Sequence, residues 1–216
     1  MKTGVQPPRM AAHLEDAALA RIEEGQLYAG LRVTGADFSR ETAAHAAFEE
    51  VEFRKVTFTE SRLAGVRISD CRLERCELTA AAWEKPRLRR ALWKTCRLTG
   101  MSLVEASLED QLFQDCVLEQ ANFGLSRFKA CRFEGCNLRG ASFVECDLSG
   151  TVFERCDLTG ANLSGAVLKG ADLRTSLITG LRAGGKEIQG AVIAPEQAVQ
   201  VAQLLGVVVK DPDLEL

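Results

Sequence analysis

The segment "CNLRGASFVECDLSGTVFERCDLTG" (136–160) is built from consecutive units of five residues. The units begin with a small residue: Cys136, Ala141, Cys146, Thr151 and Cys156. A Leu or a Phe stands two places after each of these residues, and the remaining places are polar or Gly except for Val144 and Val152. A period of five fits neither an α-helix, which repeats every 3.6 residues, nor a flat strand, which repeats every two.

The same period extends over residues 31–193. From Val33 to Ile178, every residue whose number ends in 3 or 8 is large and apolar except Ala43. These positions hold all ten Phe and both Trp of the chain. All eight Cys stand two places before a large residue, at numbers ending in 1 or 6, where Ala, Ser and Val are also common.

Simple geometry explains this pattern. In an extended stretch, two residues that are two places apart point to the same side, and the residue between them points to the other side. The two remaining residues of the unit turn a corner, where Gly is frequent because it tolerates unusual φ angles. Repetition makes a coil with a dry interior and a polar exterior, and stacked coils make a solenoid.

Several units match one known consensus, Ala-(Asp/Asn)-Leu-x-x: "ADFSR" (36–40), "ANLSG" (161–165) and "ADLRT" (171–175). With these units the chain resembles the pentapeptide repeat family. The resemblance implies an all-β fold, a right-handed four-sided parallel β-helix with four units per coil. With twenty residues per coil, five Cys form one column on one side, whereas fifteen per coil would scatter them: Cys76, Cys96, Cys116, Cys136 and Cys156.

We interpret these cysteines as core residues. A zinc site needs ligands that converge tetrahedrally, and parallel thiols in a column do not converge. Free Cys commonly behaves as a small buried apolar residue. We therefore expect neither metal nor cofactor, and we expect the Cys column to pack with large inward residues such as Phe53, Trp93, Phe113, Phe133 and Phe153.

Catalytic patterns are not apparent. The two His, His13 and His45, show no spacing that suggests a nucleophile–base pair. Acidic residues at the outward place, such as Asp147 and Asp157, exchange with Asn137 and Asn162 in equivalent units. An acid or base catalyst does not tolerate that exchange, so we predict a protein that is not an enzyme.

The ends differ from the repeat. Residues 1–30 are predicted to form a partly helical N-terminal cap, with an amphipathic helix over 8–25. Residues 194–209 are predicted to form a C-terminal helix, which Pro195 begins, and a short strand. This segment is the candidate cap and dimer interface, through Val199, Ala202, Leu205 and Val207. The tail 210–216 is predicted to be mobile.

Composition sets further expectations. The chain has 216 residues and a net charge of −3, so we do not expect direct binding to nucleic acid. The sequence shows neither a secretory signal nor an apolar run long enough for a membrane span, and the cysteines are expected to be reduced in the cytoplasm.

Positive charge concentrates in residues 61–100, which contain ten Lys or Arg and only four Asp or Glu. The candidate partner surface is Arg87, Arg89, Arg90, Leu92, Leu112 and Val152.

Two functions are consistent with these features. In size and C-terminal helix, the chain is similar to family members that interact with bacterial DNA gyrase. That similarity implies a homodimer that imitates DNA at gyrase and modulates quinolone sensitivity. The basic segment 61–100 argues against DNA mimicry, because a DNA mimic should be acidic along its length. The alternative is a general scaffold for protein–protein interaction.

Overall fold

The computed structural model describes residues 4–210, and the predicted parallel β-helix is confirmed. Parallel pairing joins residues that lie twenty positions apart, as in Arg67 with Arg87 and Ser107 with Arg127. Each coil therefore contains four units of five residues, and an inward-pointing residue occurs on each of four sides. The bridges continue to Asp172 with Val192, close to the predicted end of the repeat.

Most strands are three or four residues long because each side of a coil is short. They are β1 Glu15–Ala17, β2 Leu27–Ala29, β3 Leu31–Thr34, β4 Thr42–Ala44, β5 Ala47–Glu49, β6 Glu52–Arg54, β7 Arg62–Ala64, β8 Arg67–Glu74, β9 Arg87–Lys94, β10 Ser107–Gln114, β11 Arg127–Lys129, β12 Arg132–Glu134 and β13 Val152–Glu154. One sheet has the order β1-β3-β6-β8-β9-β10-β12-β13, with β2, β5 and β11 alongside, and β4 pairs with β7.

Strands β8, β9 and β10 are eight residues long and continue around one corner of the coil. At that corner lie Asp70, Arg90 and Asp110, each with a positive φ of about 50°. Positive φ is general at the corners, and Gly supplies it at many of them. Gly65 has a φ of 62°, and a Cβ there would lie 2.7 Å from Nδ1 of His45, so Gly fits this corner without displacing the His45 ring.

The interior consists of stacked side chains from successive coils. On one side Trp93, Phe113, Phe133 and Phe153 stack with ring centroids 5.4, 4.8 and 5.1 Å apart. Trp93 and the three Phe, together with Phe53, are at most 1% exposed. The polar edge of Trp93 is satisfied, because its Nε1 donates a hydrogen bond of 3.0 Å to Oε1 of the buried Gln111.

The five cysteines of the column are buried and unbridged. Their Sγ atoms lie near carbonyl oxygens of the preceding coil: Cys96 lies 3.3 Å from the oxygen of Leu73, and Cys116 lies 3.4 Å from that of Trp93. Burial raises the pKa of Cys116 well above its ordinary value. A buried thiol with a raised pKa is a packing group, because it rarely forms the reactive thiolate.

The C-terminal end contains helix α1 Gly185–Ile188, a 3-10 turn Pro195–Gln197 and helix α2 Ala198–Leu204. Gln197 is buried and its Nε2 donates to the carbonyl oxygens of Leu173 and Ser176 at 2.8 and 2.7 Å. Its amide thereby satisfies carbonyl groups of the last coil. The predicted strand at 207–209 does not form, since these residues have no regular structure. Residues 211–216 of the predicted tail lie outside the described residues.

The predicted N-terminal helix over 8–25 is wrong, since no helix occurs from residue 4 to residue 25. Strand β1 pairs in parallel with β3 instead, and the Glu15 amide donates to the Gly30 carbonyl at 2.9 Å. The first coil leaves a row of backbone groups without partners, and an extended segment satisfies them where a helix could not. Ile22, at 5% exposure, then covers the end of the core.

Helices in the described part of the chain are far too short to cross a membrane, the longest being α2 with seven residues.

Candidate interaction surface

Polar side chains at the outward places mainly hold the coil itself. The Oδ1 atoms of Asp37, Asn122 and Asp157 accept hydrogen bonds from the backbone amide two residues later, at 2.9–3.0 Å. Asp and Asn perform this role equally well, which explains why they exchange in the repeat. Within residues 4–210, His, Cys, Asp and Glu form no group that could hold a metal ion.

A pocket of about 570 Å³ lies near the C-terminal end and includes Lys169, Lys186 and Glu187. The Glu187 carboxylate there accepts hydrogen bonds from the amides of Gly165 and Gly184, at 3.0 and 2.9 Å. These bonds, not burial, lower the pKa of Glu187. Its carboxylate is therefore already engaged in joining α1 to the coil.

Charged side chains on the surface tend to pair between adjacent coils. The pairs join residues twenty positions apart, so each bridges one coil to the next: Arg32–Glu52, Arg40–Glu60, Glu77–Arg97, Lys85–Glu105, Asp70–Arg90, Arg89–Glu109 and Glu109–Lys129. Opposite charges on neighbouring strands stabilise a sheet modestly, and like charges destabilise it.

The structure separates the predicted partner surface into different environments. Arg87 and Arg89 are exposed on one side of the rod. Arg90 is not available to a partner, because it is buried and its Nε donates to Oδ1 of Asp70 at 2.6 Å. This is a correction: a corner residue can fold onto the carboxylate of the coil below, and the five-residue pattern does not distinguish that arrangement from exposure.

Leu92, Leu112 and Val152 lie in one outward column, and Leu92 pairs with Leu112 in register. All three are half-buried and therefore offer less apolar surface than an exposed row would. Arg132 interrupts the column and makes ion pairs with Glu134 and Glu154.

Sequence reasoning missed an extended N-terminal arm, residues 4–14, that crosses the coils lengthwise. The Gln6 amide donates to Oδ1 of Asp110 at 2.9 Å, and the Arg9 amide donates to Oδ1 of Asp70 at 2.8 Å. The end of the arm borders a pocket of about 310 Å³ beside Arg32 and Glu52. Backbone amides make these contacts, so no side-chain pattern could have indicated them.

Apolar side chains are exposed at the C-terminal end. Leu177 is 61% exposed and Val208 is 78% exposed. Of the four predicted dimer residues, Val199, Leu205 and Val207 are about half exposed, and Ala202 is half-buried. These residues lie on or directly after α2, so they form a continuous segment at one end of the rod.

The stacked coils, with large side chains inside and variable polar side chains outside, define a β-solenoid repeat protein. Residues 66–129 and 112–182 match the family model described as the pentapeptide repeat region. Since these matches span more than half of the chain, the protein belongs to the pentapeptide repeat family.

Two solved structures illustrate the likeness. HetL, a pentapeptide repeat protein involved in heterocyst differentiation regulation from the cyanobacterium Nostoc sp. strain PCC 7120, is 22% identical. The match covers 82% of this chain and 90% of HetL, with a TM-score of 0.39. A trypsin-treated form of QnrB1, a plasmid-mediated fluoroquinolone resistance protein, is 19% identical over 93% of this chain and 98% of that chain, with a TM-score of 0.35. Comparison with curated proteins gives no match.

Proposed function

We propose that this protein is a non-enzymatic scaffold that binds other proteins through the outward faces of its coils. The observation that carries the proposal is that inward and outward side chains have different roles. Every Phe and Trp is buried, whereas the outward places vary in charge and polarity from coil to coil. A rigid core with freely varied outer faces suits recognition of extended surfaces.

The cytoplasm is the compartment that we propose. Eight cysteines are free in the structure, and free cysteines are typical of a reducing environment.

Bacterial DNA gyrase is the specific partner that we propose to test first, in a role that modulates quinolone sensitivity. The support is the resemblance in size and C-terminal helix to family members that interact with gyrase. The charge distribution favours a general scaffold over DNA mimicry, because many carboxylates are neutralised by Arg or Lys of the next coil, as in Arg40–Glu60. A DNA mimic needs a continuous acidic surface.

The test is a gyrase supercoiling assay with purified protein, run with and without a quinolone. A gyrase-binding protein reduces supercoiling on its own or restores activity in the presence of the drug. Unchanged activity in both arms rejects gyrase and leaves the general scaffold, whose partners are then identified by affinity capture from a cytoplasmic extract.

A homodimer through the C-terminal segment is a further part of the proposal. The exposed apolar side chains of Val199, Leu205 and Val207 support it, since adjacent exposed apolar residues often mark a contact surface.

A further inference from the structure

On one side of the rod, like charges lie opposite each other in adjacent coils. Arg67 and Arg87 occupy the same outward place in adjacent coils and are partners in register. Both side chains are exposed, and among residues 4–210 neither forms an ion pair with a carboxylate. Like charges directly opposite each other destabilise a sheet, so the core gains nothing from this arrangement.

The next two members of the column are a neutral residue and another Arg. Ser107 follows Arg87 in register, and Arg127 follows Ser107. Two places further along these strands lie Arg89 and Lys129, on either side of Glu109. Nε of Arg89 lies 3.8 Å from Oε2 of Glu109, and Nζ of Lys129 lies 2.6 Å from Oε1. We call Arg67, Arg87, Arg89, Arg127 and Lys129 the basic face.

We propose that the basic face binds an acidic, extended segment of a partner protein. This inference rests on the proposed scaffold function and identifies the chemistry of one of its partners. Arg guanidinium groups bind carboxylates through paired hydrogen bonds, which gives both affinity and orientation.

The dimensions suit such a segment. Arg67 and Arg127 are three coils apart, or about 14 Å at the usual strand spacing of about 4.8 Å. In an extended peptide, side chains on one edge recur about every 6.7 Å, so three alternate carboxylates span the same distance. The peptide would run along the rod, across the strands.

The surroundings disfavour a nucleic acid as the occupant. Glu49 is exposed beyond one end of the column and Asp147 beyond the other, so a long polyanion would meet carboxylates on both sides. All ten Phe, both Trp and the single Tyr are buried, so none of them can stack on bases.

The experiment uses the full chain and a fluorescent eight-residue peptide of alternating Glu and Ser, with binding followed by anisotropy at low salt. Arg67→Glu removes the first guanidinium and creates, with Arg87, an opposite-charge pair of the kind found elsewhere on the rod. We expect affinity for the peptide to fall about tenfold, as loss of a charge contact at an interface does. The melting temperature should stay the same or rise, which separates lost binding from lost folding.

Lys55→Glu is the matched control. Lys55 and Arg75 are both exposed, lie one coil apart at another corner and have no ion-pair partner within the described residues. The substitution changes the net charge equally and creates the same kind of pair, but it lies away from the basic face. We expect peptide affinity to change less than about twofold, the size of a general charge effect.

Three outcomes overturn the inference. They are no binding of the Glu-Ser peptide to the wild-type chain, equal losses in Arg67→Glu and Lys55→Glu, and preferential binding of a duplex DNA in a parallel titration. Each leaves the scaffold function standing, because gyrase binding and partner capture are measured separately.

Discussion

At the scale of single residues, position within the five-residue unit decides whether a side chain stabilises the fold or meets solvent. Phe133 and Arg132 are sequence neighbours, yet Phe133 is 0% exposed between two stacked rings and the Arg132 side chain is 35% exposed. The same rule places every Cys inside. Chemistry that looks reactive in the sequence is therefore packing in the structure.

The first prediction concerns the thiols. Burial raises the pKa of Cys71 and of Cys131 to about 12, so at neutral pH these thiols stay protonated and shielded. Titration with a thiol reagent should label few cysteines in the native protein and all eight after denaturation. Rapid native labelling, or a stoichiometric metal found by elemental analysis, would contradict the packing role.

The second prediction compares Phe133 with its neighbour. Phe133→Ala should destabilise the protein by about 3–5 kcal/mol, because it leaves a cavity in the ring stack. Arg132→Ala removes partly exposed ion pairs and should cost about 1 kcal/mol or less. Denaturant melts of both variants measure the difference. Similar midpoints would show that the inward place does not control stability.

At the scale of elements, the two ends of the rod use different structures to satisfy the backbone groups of the first and last coils. The C-terminal end satisfies its last coil with Gln197 and then forms α2. The N-terminal end pairs β1 with the first coil and sends the arm across the corner of β8, β9 and β10. Asp70 joins these parts, since it binds both Arg90 and the Arg9 amide.

The third prediction follows from that junction. Asp70→Ala leaves the largely buried Arg90 without its carboxylate and should cost about 3–5 kcal/mol. It should also free the arm, so trypsin should cleave after Arg9 faster than in the wild-type chain. Asp110→Ala loses one exposed hydrogen bond to Gln6 and should cost about 1 kcal/mol. Equal stability of the two variants would show that the Asp70–Arg90 pair is not a stabilising centre.

Asp70 also sets a pH limit. Burial tends to raise its pKa, but hydrogen bonds from Arg90 and from the Arg9 amide outweigh burial and lower the pKa below its ordinary value. A carboxyl group with a lowered folded pKa contributes stability that is fully present above its unfolded pKa, about 3.9. That contribution is lost as the pH falls through the folded pKa. The wild-type chain should therefore lose more stability than Asp70→Ala below about pH 4.

At the scale of the whole molecule, the rod has a closed interior but open ends, and each end must be covered or paired. The exposed apolar residues after the last coil are Val199, Leu205 and the run from Val207 to Val209. Their position at one end favours pairing of two rods end to end.

The fourth prediction tests this pairing. Full-length protein should be a dimer at micromolar concentration by light scattering, and a chain that ends at Gly190 should be a monomer. Leu205→Glu combined with Val207→Glu is the gentler variant, since both residues are about half exposed and the coils stay intact. A monomeric wild-type chain rejects the dimer. A dimeric double variant places the interface elsewhere, with the column of Leu92, Leu112 and Val152 as the next candidate.

The sequence by itself determined the coil. Because the inward places recur every five residues over some thirty units, each large residue reinforces the same register, and no alternative period accommodates Phe133, Trp93 and the Cys column together. The exposure of Arg87 and Arg89 follows from the same pattern, since both stand at outward places.

Only the tertiary structure decided how the chain folds where the repeat stops, and whether a corner residue is buried or exposed. The segment 8–25 has helical spacing, but the unpaired edge of the first coil offers backbone partners that local helix propensity cannot offset. Arg90 is buried because Asp70 lies one coil below it, and the arm is held by amides of Gln6 and Arg9. These contacts join residues that are distant in the chain, and those of the arm use backbone amides that almost every residue carries, so they leave no local sequence signal.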